Sequence, residues 1–118
     1  MELLLMFVGT ALLILGLAIP LALGNVPPNA LYGVRVRATR RNPDVWYYVN
    51  GRSGRDLIVV GLVNIVAPIG FYYVADWPES TFVFLCMATL FLSLAVMSIR
   101  ALGYTRTAVA RFGNSKEQ

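Results

Sequence analysis

Histidine is absent from this sequence and cysteine occurs once, at Cys86. Those two absences exclude a Ser–His or Cys–His couple, a Cys/His metal cluster and an internal disulfide. Charge is scarce as well. Only 14% of the residues are Asp, Glu, Lys or Arg, against about a quarter in a soluble domain. The few acids do not converge: Asp44 and Asp56 precede an apolar run, and Asp76 and Glu79 follow it, so no acid–base pair assembles. Gly51-Arg-Ser-Gly54 lacks the flanking spacing of a nucleophile elbow and the lysine of a phosphate loop. Arginines and amides remain. They can bind an anion or a peptide carbonyl but provide no proton shuttle. The chain therefore reads as a non-enzyme with no metal site and no cofactor.

Apolar residues are what the sequence has in abundance. They make up 58% of its 118 residues, with a mean hydropathy of +0.66, too apolar for a soluble surface of this size. Crossing ~30 Å of hydrocarbon takes about 20 helical residues. Three runs qualify: 3–23, 57–75 and 81–99. The expected architecture is all-α: a single membrane domain of three transmembrane helices, with a structured loop over 24–56 and a tail over 100–118. A cleaved signal peptide over 1–24 is the competing reading, because Ala22-Leu23-Gly24 has a small-x-small pattern. The acidic Glu2 argues against it, since signal peptides begin with cations.

All ten cations sit at one end of such a bundle. Arg35, Arg37, Arg40, Arg41, Arg52 and Arg55 occupy the loop; Arg100, Arg106, Arg111 and Lys116 occupy the tail. The turn at Asp76-Trp77-Pro78-Glu79 and the N-terminal residues hold acids and no Lys or Arg. Lys and Arg near span ends resist translocation. The expected topology is a multi-pass cell-membrane protein with its N-terminus outside and its loop and C-terminus in the cytoplasm. A net charge of +4 then reflects topology and attraction to anionic lipid headgroups, not nucleic-acid binding.

The loop can be read residue by residue. Gly24 and Asn25 can end the first helix, and Pro27-Pro28 prevent it from resuming. An extended segment should follow, with Tyr32, Val34 and Val36 on one side and Gly33, Arg35 and Arg37 on the other. Asn42-Pro43-Asp44 reads as a helix start: a cap, a first-turn proline and an acid at the positive end of the dipole. On that helix Trp46, Asn50 and Gly54 recur every four residues and share a face. Gly54 would admit another backbone, and Asn50 would bond to it or to the segment from Asn29 to Arg35. This face either folds the loop onto the bundle or binds a ligand or partner.

Within the spans, Asn64 and Pro68 are the intramembrane polar and kinking positions. Pro68 cannot donate to the Asn64 carbonyl, so an amide and a freed acceptor lie at one level. Cys86, Thr89 and Ser93 share a face of the third span, Gly9 and Gly16 one of the first. The two seams are expected to meet.

The run Pro28-Asn29-x-x-Tyr32-Gly33-x-Arg35, then Thr39, Asp44, Trp46, Asn50 and Gly54, resembles the motif of the SdpI family of small bacterial membrane proteins. It departs at Val36, where the family pattern has Thr, and at Gly51, where it has Arg, with Arg52 following. The resemblance implies immunity against a secreted toxic peptide and, in longer members, signalling by holding a soluble regulator at the membrane. This chain resembles the short, three-span form. Its implied ligand- or partner-binding residues are Asn29, Tyr32, Arg35, Thr39, Trp46, Asn50 and Gly54. Implied partners are a peptide toxin or another membrane protein. A second class of function is a small accessory or structural subunit, in a homo-oligomer or a larger membrane complex, packing through the small-residue seams. A third, an enzyme acting on lipid headgroups, needs a general base that the sequence does not supply.

Overall fold

The computed structural model describes residues 1–29 and 33–113. Its helices are α1 (Glu2–Ala22), α2 (Arg37–Arg41), α3 (Pro43–Val74) and α4 (Glu79–Ala108), closed by a π-helical turn at Val109–Gly113. The described residues contain no strand. Three helices, α1, α3 and α4, are long and apolar enough to cross a membrane, which makes the chain an all-α, three-span bundle.

Two of these helices outrun their apolar spans. The 32 residues of α3 rise about 48 Å, well beyond the ~30 Å of hydrocarbon. Its first three turns, before the apolar run at 57, therefore project past the end of α1. The third helix likewise continues past 99 to Ala108. Hydropathy marks where a helix enters lipid, but a helix ends where its backbone is broken. No proline lies between Asp44 and Gly54 or beyond Pro78, so both helices run on, and residues 100–113 are helical rather than a free tail.

α3 is the central element, with α1 and α4 packed against it. In lipid this packing has no hydrophobic driving force and depends on close backbone approach. Two glycines of α3 provide it. A Cβ on Gly54 would lie 2.5 Å from the Ala22 amide nitrogen, and one on Gly61 would lie 2.7 Å from the Leu15 side chain. The α1 face that receives them carries the buried Ala11, Ala18 and Leu21. Gly9 and Gly16 do not face a helix: a Cβ on either would meet nothing within 4 Å. The expected meeting of their seam with Cys86, Thr89 and Ser93 does not occur. Each stands two residues from a buried position (Phe7, Ala18), about 200° around the helix.

Cys86 instead joins Leu4, Phe7 and Phe82 in a cluster, where the Phe7 and Phe82 rings meet edge-on at 6.1 Å. Ser93 faces α3 and accepts a 3.0 Å hydrogen bond from Asn64 Nδ2. The same Nδ2 donates to the Val60 carbonyl at 2.8 Å, one turn back and away from the carbonyl that the buried Pro68 leaves unbonded.

Candidate functional site

The chain leaves α1 through a two-bond helix stop. Gly24 sits at φ +74°, its N–H bonds the Leu21 carbonyl at 3.2 Å, and the Asn25 N–H bonds the Pro20 carbonyl at 3.0 Å. This is the Schellman pattern, which places a left-handed residue just past the helix end. The loop then turns back along the projecting turns of α3. Val26 packs on Leu21 and Trp46, and its carbonyl accepts the Trp46 indole N–H at 2.9 Å. Asn29 folds onto its own turn, with Nδ2 donating to the Pro27 carbonyl at 2.8 Å. Tyr32 lies outside the described residues.

Beyond the gap, Gly33 passes directly over α3. Its φ is +109°, and a Cβ there would fall 2.8 Å from Asn50 Oδ1 and 3.2 Å from the Trp46 ring. Only glycine satisfies both the torsion and the clearance. The Asn50 side chain then takes the place of a strand partner. Its Oδ1 accepts the Val34 N–H, and its Nδ2 donates to the Trp46 carbonyl at 3.1 Å and the Val34 carbonyl at 3.3 Å. Thr39 adds a third tie: Oγ1 lies 2.8 Å from the carbonyls of both Val34 and Val36, between which its one proton is shared. The expected extended segment is thus held by side chains and not by a neighbouring strand. Val36 is extended (φ −91°, ψ 168°) and the chain enters α2 at Arg37. Backbone groups that a strand would pair with a neighbour are met by side chains of Asn50 and Thr39.

Trp46, Asn50, Gly54 and Thr39 are accordingly buried: Trp46, Asn50 and Thr39 hold the loop itself, and Gly54 lies against the end of α1. Of the sequence-predicted residues, Thr39, Trp46, Asn50 and Gly54 form a buried frame, Asn29 is half-buried, and Arg35 stands exposed beside the equally exposed Arg37, Arg40 and Arg41.

The helix start is as the sequence predicts. Asn42 Oδ1 accepts the Asp44 N–H at 3.0 Å, and Pro43 opens α3. The other half of the Asn42 amide was not legible: Nδ2 donates to the Phe112 carbonyl at 3.0 Å, 70 residues away. That bond fastens the end of α4 to the loop. Around it Val45, Val49 and Ala108 form a buried cluster flanked by Val34, Tyr48, Tyr104 and Phe112.

A second polar cluster joins α3 to α4 lower down. Arg100 Nε meets Asp56 Oδ2 at 2.8 Å, the Tyr104 hydroxyl donates to the same oxygen at 2.8 Å, and Arg100 Nη2 donates to that hydroxyl at 2.8 Å. Sequence reasoning missed it, although the signal was available. Asp56 and Arg100 flank the same end of two antiparallel spans, where opposite charges must come close.

An integral three-helix membrane protein with an arginine-bearing extramembrane head is the class this fold defines. The model of the SdpI/YfhL protein family matches residues 25–100. The chain belongs to that family; the match covers the motif loop, α3 and most of α4. No curated protein and no solved structure matches the chain in the corresponding comparisons.

Proposed function

We propose that the chain is an immunity protein of the SdpI type, protecting the cell membrane against a secreted peptide and presenting its loop to a cytoplasmic regulator. Family membership over residues 25–100 carries this reading, and the construction of the loop supports it. The buried motif residues hold a short segment rigidly, and that segment bears the exposed Arg35. In this reading Asn50 acts by positioning the loop, because its amide is engaged by backbone, while the Arg35 guanidinium fork takes a carboxylate or peptide carbonyl. The one-sided arginines favour a cytoplasmic loop and C-terminus in this reading.

Expression in a sensitive cell, challenged with exported peptides encoded beside this gene and its relatives, tests the proposal. Protection is expected. Arg35→Ala should reduce it at equal membrane abundance, and Arg106→Ala, also exposed, should not. Absence of protection across the panel defeats the immunity reading; full protection by Arg35→Ala defeats the role given to the loop.

One observation favours an accessory-subunit reading as the runner-up. Gly9 and Gly16 leave an open strip on the lipid side of α1, where another helix can approach closely. Co-purification of a larger membrane protein in mild detergent, lost on Gly9→Leu or Gly16→Leu, would favour it.

A further inference from the structure

Two hollows meet at Asp56 and Arg100. One is a groove of about 430 Å³ between α3 and α4, walled by Val59, Val63, Val96 and Met97 and reaching Ser93. The other, of about 330 Å³, adds Arg52, Arg55 and Tyr104 to the shared Asp56 and Arg100. Val59, Val63 and Val96 are 59%, 42% and 58% exposed, so the groove opens sideways from the bundle, within the apolar spans. From Ser93 to Arg100 the helix rises roughly 10 Å.

The mouth is cationic. It holds three guanidinium groups and one carboxylate, and that carboxylate is engaged by Arg100 and Tyr104. Arg52 lies over the Tyr48 ring at 3.6 Å, which occupies the face of its guanidinium and not its N–H edge. Arg55 is exposed. The positive surplus favours an anionic group, and phosphate oxygens match the N–H forks.

The groove has the opposite character. Its walls are hydrocarbon, and the hydroxyl at its end, Ser93 Oγ, is already within bonding distance of the Thr89 and Leu90 carbonyls and of Asn64. A peptide lying there would leave its backbone groups unpaired in lipid, at several kcal/mol each. An acyl chain has no such groups.

We propose that this groove and its arginine-lined mouth bind one anionic glycerophospholipid from the leaflet at the arginine end of the bundle. The acyl chain lies along Val59, Val63, Val96 and Met97, and the phosphodiester lies against Arg52, Arg55 and Arg100. General attraction of basic span ends to anionic membranes requires no groove. A seated lipid does, and it stays bound when the surrounding bilayer is removed. The proposal is independent of the immunity reading.

The test is native mass spectrometry of the full chain, delipidated in mild detergent and titrated with dioleoylphosphatidylglycerol or dioleoylphosphatidylcholine. One phosphatidylglycerol per chain should be retained, at least 5-fold in preference to phosphatidylcholine. The double variant Arg52→Gln/Arg55→Gln should lose that preference, and Val63→Trp, which fills the groove, should lower retention at least 5-fold. Glu79→Gln, at the other end of the bundle, should retain the lipid like wild type. Glycerol 3-phosphate alone should not bind. Val96→Phe, on the opposite wall, replaces Val63→Trp if that variant fails to fold. Equal retention of the two lipids overturns the proposal, as does wild-type retention in either the charge variant or the groove variant. Binding of glycerol 3-phosphate as tight as that of the lipid overturns it too.

Discussion

Asn50 does for the loop what a neighbouring strand does in a sheet, meeting both the N–H and the carbonyl of Val34 with one side chain. Asn50→Leu keeps the volume but strands the Val34 N–H, while the carbonyl keeps Thr39 Oγ1. Leaving a buried polar group unmet costs about 1–3 kcal/mol, so the variant should unfold at lower temperature in detergent, and its loop should become protease-accessible in inside-out vesicles. Unchanged accessibility would mean that Asn50 does not hold the loop. Ser53 gives a prediction of opposite sign. Its Oγ is buried with no hydrogen-bond partner among the described residues, a desolvation cost with no return. Ser53→Ala should be neutral or should stabilise by up to about 1 kcal/mol; a clear drop in the melting temperature would show that the hydroxyl has a partner after all.

Between elements, glycine outweighs hydrogen bonding. The Asn64–Ser93 bond joins α3 to α4, but interhelical hydrogen bonds in membranes average only about 0.6 kcal/mol, so Ser93→Ala should cost little. The α1–α3 contacts are steric. At Gly54 an added methyl group meets the Ala22 and Leu21 backbone, which cannot yield without moving α1; at Gly61 it meets the Leu15 side chain, which can rotate. Overpacking costs typically 1–3 kcal/mol. Gly54→Ala should fall in that range, Gly61→Ala below it and Ser93→Ala lowest, a ranking that thermal unfolding of the three variants in one detergent can check. A Ser93→Ala loss as large as that of Gly54→Ala would invalidate this account of the packing.

The whole molecule is an elongated body of 58 × 22 × 18 Å, longer than the hydrocarbon is thick. The excess lies at the arginine end, where the first turns of α3, the loop, α2 and the last turns of α4 pack into one head. A head carrying this many arginines resists translocation. Cysteines introduced at Asp76 and Arg106, both exposed, should therefore react from opposite sides: position 76 with an impermeant maleimide outside intact cells, position 106 only after the cells are opened. The buried Cys86 should react slowly in both. Labelling of position 106 on intact cells would reverse the topology.

Much of this was legible in the sequence because it is local. The apolar runs, the Gly24 stop, the Asn42 cap and the shared face of Trp46, Asn50 and Gly54 depend on residues within a few turns of one another, where helical periodicity and backbone chemistry decide. The one-sidedness of the arginines is likewise a matter of order along the chain. Tertiary structure decided the rest. It determined that Gly54 and Gly61, not Gly9 and Gly16, meet a neighbouring helix, that Asn42 reaches Phe112, and that side chains replace a strand over Val34–Val36. The reason is physical. A helix in lipid is apolar on every side, so its sequence carries no amphipathic stripe to say which face turns inward. That rotation, and every contact that depends on it, is set by the fit of one helix surface against another.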